Sequence, residues 1–121
     1  MMDEIIDFII QYGGGVYSNY NRENLREIVG KHLTYNTFTI LRNKEDKIIA
    51  VARWNIYGTV AHILDVIVKK ENRNMGILNV LVSIGWTKFP FVKFISFERE
   101  TKYPNRKSRI YRIEQFLRKG F

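Results

Sequence analysis

The sequence predicts an α+β domain built on a mixed sheet with helices on both faces. Three observations carry this. Two segments with helical apolar spacing come first, within residues 3–33. Three β-rich stretches joined by short turns follow over 37–68, the pattern of an antiparallel meander. An apolar helical segment then separates the last of these from one more strand. That order makes a βαβ unit, whose strands run parallel with a right-handed crossover.

Asp3 to Tyr12 places Ile5, Ile6, Ile9 and Ile10 on one stripe at the helical period. Gly13-Gly14-Gly15 ends that helix as a flexible stop. The triplet lacks the Gly-Lys-Ser/Thr of a phosphate loop, so it is not read as one. A second helix is expected from Arg22 to Leu33 with Asn21 as N-cap; Leu25, Ile28, Val29 and His32 share a face, and His32 is expected half-buried at the helix end. The period then changes to two. Thr37 to Leu41 alternates, and Asn43 to Asp46 is a polar turn. Lys47 to Tyr57 reads as a longer strand, with Ile49, Val51 and Arg53 on one side and Ile48, Ala50, Ala52, Trp54 and Ile56 on the other. Gly58-Thr59 turns the chain into Val60–Val68, whose nearly continuous apolar content suits a central strand covered on both faces. Ile77 to Lys88 is a helix stopped by Pro90, and Val92 to Phe97 is the next strand. Lys107 to Arg112 reads as a strand and Glu114 to Lys119 as a final short helix.

The 121 residues fit one domain, 1–121, with enough apolar material (45%) for a packed core. Absence of cysteine excludes disulfides, thiol nucleophiles and cysteine zinc sites. His32 and His62 stand 30 positions apart, so no metal site is expected. No apolar run approaches the roughly 20 residues of a membrane span, and Met1-Met2-Asp3-Glu4 is acidic where a leader is basic. A cytoplasmic protein without membrane attachment is expected. Its net charge of +8 is lopsided: residues 1–68 carry −1 and residues 69–121 carry +9. Such a field favours an anionic partner.

The junction from Val66 to Val82 is the most informative. A strand runs into a short loop holding Arg73 and Gly76, and a helix opens at once. A helix N-terminus exposes unpaired N–H groups and a partial positive charge. Gly76 lets a ligand approach the backbone, and Lys69, Lys70 and Arg73 add charge. Together they make an anion site suited to a pyrophosphate.

Arg73-Asn74-Met75-Gly76-Ile77-Leu78, five residues after Val68, resembles the Arg/Gln-x-x-Gly-x-Gly/Ala signature of the GCN5-related N-acetyltransferase (GNAT) superfamily. Element order is similar over residues 3–97. The resemblance implies a GNAT-like sheet whose parallel strand pair splays apart, and binding of acetyl-CoA. It puts the coenzyme A pyrophosphate on the amides of Asn74, Met75, Gly76, Ile77 and Leu78, and the pantetheine arm along Ile67 and Val68. It implies transfer of the acetyl group to a primary amine, on a small molecule or a protein. A base would come from the strand before the motif, where His62 and Asp65 stand. An acid would be Tyr111 or Tyr103. Leu78 departs from the pattern, standing where the family has a small residue. No strand precedes the first helix, and little room remains for a helix between Phe97 and Tyr111.

Each of these residues has a second reading. Arg73 binds phosphate or caps its own loop. Asp65 is a base or pairs with Arg53 across the sheet. His62 is a base or a satisfied strand histidine. Trp54 and Tyr57 line an acceptor pocket or simply pack. Glu98 and Glu100 serve the site or pair with Arg99, Lys102 or Arg112. Residues 99–112 interleave six basic side chains with Tyr103 and Tyr111, a pattern that also suits single-stranded nucleic acid. A non-enzymatic binding module on the same fold is therefore the alternative.

Overall fold

The computed structural model describes residues 1–73, 76–97 and 110–119. Helix α1 (Met2–Tyr12) is followed by a 3-10 turn (Gly14–Tyr17), helix α2 (Arg22–Thr34), then strands β1 (Phe38–Arg42), β2 (Ile48–Tyr57) and β3 (Val60–Val68). A second 3-10 turn (Lys70–Asn72) leads to α3 (Ile77–Lys88), β4 (Phe94–Phe97), β5 (Ile110–Arg112) and α4 (Ile113–Lys119). The strands form one sheet in the order β1-β2-β3-β4-β5. Pairing is antiparallel except between β3 and β4, which run parallel.

The central position of β3 explains its apolar run, because each face of the sheet has its own core. On one face α1 and α2 bring Ile5, Ile6, Ile9, Leu25 and Val29 against Phe38, Val51 and Ile67. On the other, α3 and α4 bring Leu81, Val82, Ile113 and Phe116 against Ala52, Trp54, Ala61 and Ile95. Gly85 permits the close approach of α3 to the sheet: a Cβ there would stand 3.3 Å from the Trp54 ring. The Trp54 indole N–H donates to the Thr39 hydroxyl at 3.2 Å, so both are satisfied inside the core.

Asn21 caps α2 reciprocally with Asn24: each backbone N–H donates to the other's side-chain oxygen, at 2.8 and 3.3 Å. The glycine triplet is not a loose break. Gly13 follows α1 in helical conformation, and the 3-10 turn beyond it delivers Tyr17 into the core.

Three expectations are corrected. Ile48 packs with Val51 under α1 and α2, not with Ala50. The β1–β2 register slips between Leu41 and Arg42, and the resulting bulge breaks simple alternation there. The first strand begins at Phe38, since Thr37 offers only its carbonyl to the Trp54 amide. The fourth begins at Phe94, because the amides of Lys93 and Phe94 both turn to the Thr59 carbonyl. Asn74, Met75, Glu98, Glu100, Tyr103 and all of 99–109 lie outside the described residues. Among the described residues no helix is long and apolar enough to cross a membrane, and no three acidic or histidine side chains are grouped to hold a metal ion.

Candidate functional site

Two features define the site, and both lie where β3 meets α3. The first is the open start of α3. Gly76 is its N-cap with φ +69°, a left-handed conformation that disfavours a side chain. A Cβ there would meet no atom of the described residues within 4 Å, so among them the space beside this backbone is open. No side chain among the described residues caps the helix, and its first turn holds no acidic residue. Its first internal bond runs from the Val80 amide to the Gly76 carbonyl at 3.3 Å. The amides of Ile77 and Leu78 therefore have no acceptor among the described residues. Leu78 turns its side chain into the core beneath α3, so its bulk does not cover its own amide. Asn79 Oδ1 is buried with no donor among the described residues, but its side chain lines a separate groove with Ser83, Thr87 and Leu117. The open amides fit an anionic ligand that carries acceptor atoms. Arg73 is exposed, and its Nε donates to the Val68 carbonyl at 3.3 Å. The loop-capping reading thus accounts for one nitrogen of the guanidinium and leaves its two terminal nitrogens for a ligand.

The second feature is the stretch of β3 beyond its described pairing with β4. Strand β4 pairs with β3 from Val60 to Ile63, and Ile63–Phe97 is the last rung among the described residues. Strand β3 continues for five residues, Leu64 to Val68, with no β4 partner among the described residues. At the same point the β2–β3 register slips: Arg53 faces Asp65 and Trp54 faces Ile63, leaving Leu64 as the extra residue. Ile67 is buried under α1, while Val68 packs towards α3.

Paired residues share a face of the sheet, so the rungs place the titratable groups. Arg53–Asp65 and Asn55–His62–Ser96 point to the face that carries α1 and α2. Tyr111 shares a rung with Ile95 and Ala61 on the opposite face, where its ring packs near Phe97 and Phe116. The structure therefore brings His62 and Asp65 to one face and does not bring Tyr111 there. Trp54 is core, whereas Tyr57 lines an open groove of about 440 Å³ with Tyr35, Asn55 and Phe89.

Asp65 lies at the centre of a polar cluster. Its Oδ2 accepts from the Tyr17 hydroxyl at 2.6 Å, from Arg53 Nε at 2.9 Å and from Arg53 Nη2 at 2.8 Å. No donor among the described residues reaches Oδ1. Burial, together with the charge and hydrogen bond of Asp65, pushes the Tyr17 hydroxyl far above the ordinary phenol value. Burial also works against the charge on Arg53, but Asp65 outweighs it and holds the guanidinium above its usual value. His62 Nδ1 lies 2.7 Å from Ser96 Oγ. Sequence reasoning missed both Tyr17 and Ser96. The only signal for Ser96 was a hydroxyl within an otherwise apolar strand, and Tyr17 left none.

His32, buried beside Thr37, is held below its ordinary value of 6.5, first by burial and then by the Arg53 charge. The unfolded chain therefore binds a proton that the folded chain refuses. Stability from this group is complete above 6.5 and is lost as pH falls below it. Urea unfolding at pH 7.5 and 5.5 is expected to show a loss that His32→Gln reduces. Equal losses in the two proteins would contradict this origin.

No protein-family model and no curated protein matches the chain. Solved structures do. Diaminobutyrate acetyltransferase from Paenibacillus lautus, determined with its substrate and coenzyme A, superposes with a TM-score of 0.57 at 14% identity, over 79% of this chain and 58% of that one. A variant of spermidine N-acetyltransferase from Vibrio cholerae gives 0.57 at 15% identity, over 80% and 64%. PaiA N-acetyltransferase from Thermoplasma acidophilum, in complex with coenzyme A, gives 0.58 at 13% identity, over 85% and 76%. The chain has the GNAT acetyltransferase fold. The meander, the βαβ unit and the parallel β3–β4 pair are its elements here. The match spans less than two thirds of the first two enzymes, so the GNAT core is what the likeness establishes.

Proposed function

We propose that this chain is an acetyl-CoA-dependent N-acetyltransferase that acts on a primary amine. One observation carries the reading: an open, glycine-capped helix start follows directly on a strand that runs from Leu64 to Val68 with no β4 partner among the described residues. The amides of Gly76, Ile77 and Leu78 hold the diphosphate, and the terminal nitrogens of Arg73 add charge to it. Asn74 and Met75 complete the loop in sequence. The edge of β3 from Leu64 to Val68, which includes Ile67 and has no β4 partner among the described residues, pairs with the amide groups of the pantetheine arm, as one strand pairs with another.

Bound acetyl-CoA supplies a thioester carbonyl for attack by the amine. The chain's part is to hold the two reactants in line and to meet the charge that develops. Asp65 Oδ1 accepts a hydrogen bond from the incoming amine and orients its nitrogen. Arg53 and Tyr17 keep that carboxylate in place through Oδ2. His62 stands on the same face, one residue before the last described rung between β3 and β4.

The test is release of free thiol from acetyl-CoA with a panel of primary amines, and mass spectrometry for the N-acetyl product. Turnover that depends on the amine is expected. Absence of amine-dependent thiol release across diamines, amino acids and peptide N-termini would contradict the reading.

A further inference from the structure

We infer that the end of β2 at Ile56 is a docking groove for a short extended peptide that carries a carboxylate. The groove lies on the edge of β2 that faces away from β3, and it stands without the acetyltransferase reading.

Strand β2 outlasts its neighbour β1. Their last rung at this end is Phe38–Arg53, and one further bond runs from the Trp54 amide to the Thr37 carbonyl at 3.1 Å. The chain reaches Thr37 from the end of α2 through Asn36 (φ +60°), so among the described residues no strand lies opposite the end of β2. Yet β2 runs on to Tyr57. Successive residues of a strand turn their backbone groups to opposite edges. Ile56 therefore presents its N–H and C=O on the edge where Trp54 does, away from β3. Among the described residues neither group has a backbone partner on that edge. Together they match the C=O and N–H of one residue in an added strand.

The groove of about 440 Å³ opens on this edge, and its walls select the occupant. Tyr35 and Tyr57 stand on it 67% and 62% exposed. Phe89 is held in place by edge contacts with Trp54 at 5.0 Å and with the exposed Phe91 at 6.0 Å. Exposed aromatic side chains grouped in this way mark interaction surfaces. A residue paired with Ile56 shares its face of the sheet, which is also the face of Phe89, so an aromatic side chain fits there. Lys31 is the one charged side chain on the wall and meets no acid among the described residues. His32, beside it, is held below its ordinary value of 6.5 by burial and is neutral at pH 7, so it answers no second charge. Charge complementarity thus calls for a carboxylate flanking the aromatic residue.

Two blocked pentapeptides test this, acetyl-Asp-Val-Phe-Val-Glu-amide and its counterpart with arginine at both ends. Neither carries a primary amine, so binding is read apart from any acetyl transfer. In the free chain the Ile56 amide is expected to exchange with solvent faster than those of Asn55 and Tyr57, which face β3. The acidic peptide is expected to give the largest ¹H–¹⁵N shift at Ile56 and to slow its exchange. N-methylation of the central phenylalanine removes the N–H that meets the Ile56 carbonyl, and is expected to weaken binding about fivefold or more. Tyr57→Ala, at an exposed position, is expected to weaken it about tenfold. The arginine peptide is expected to bind about three- to fivefold less tightly, and Lys31→Glu to reverse that order. No shift at Ile56 with millimolar peptide, or equal binding of the two peptides, overturns the inference. So does an Ile56 amide protected in the free chain, including protection by a second copy in a dimer.

Discussion

Asp65→Ala is expected to destabilise the chain by about 3–5 kcal/mol, among the largest effects of any single polar substitution here. The carboxylate is 12% exposed and its Arg53 partner 22%, so its removal strands a guanidinium and the Tyr17 hydroxyl away from full hydration. The same change releases the turn after α1, which the Tyr17–Asp65 bond ties to the central strand. Asp3 provides the contrast. It also meets an arginine, Arg26, at 2.8 Å, but the two side chains are 71% and 56% exposed. Asp3→Ala is expected to cost under about 1 kcal/mol, because water screens and replaces that pair. Replacing both charges, in Asp65→Ala/Arg53→Met, is expected to recover part of the loss. Chemical denaturation measures all three. Similar losses for Asp65→Ala and Asp3→Ala would show that the buried cluster contributes nothing beyond a surface pair.

Gly76→Val is expected to abolish stabilisation by acetyl-CoA. Two penalties act together. A β-branched residue at φ +69° costs about 1–2 kcal/mol of backbone strain, and its side chain fills the open space beside the Ile77 and Leu78 amides. For the native chain, ligand at a hundred times its Kd raises stability by about 2.7 kcal/mol. In Gly76→Val that gain is expected to fall below about 0.5 kcal/mol. Arg73→Glu is expected to weaken it less, since the arginine adds charge and does not shape the loop. Thermal melts with and without acetyl-CoA compare the three proteins. An undiminished shift in Gly76→Val would place the ligand elsewhere.

How much of this was legible in the chain depended on how local the cause was. The helix stop at Gly13, the Asn21 cap, the α3 boundaries and the hairpin at Gly58 rest on near neighbours, and each was readable. The Gly76 loop was readable for the same reason: glycine, charge and a following helix lie within a few residues. Ile48 was not, because a bulge between paired strands leaves no mark in one strand's alternation. Asp65 remained open between base and ion pair, since the choice depends on the β2–β3 register and on a tyrosine 48 positions away. The Ser96–His62 bond joins residues 34 apart across a parallel pair, and only the register reveals it.

The central claim is that the amides opening α3 grip a diphosphate while β3 from Leu64 to Val68 takes the pantetheine arm. Backbone ¹H–¹⁵N spectra recorded during titration with coenzyme A test it residue by residue. The account predicts the largest shifts at Gly76, Ile77 and Leu78, with a second group from Leu64 to Val68. Saturating binding that leaves those amides unmoved, or no binding at millimolar coenzyme A, would contradict it.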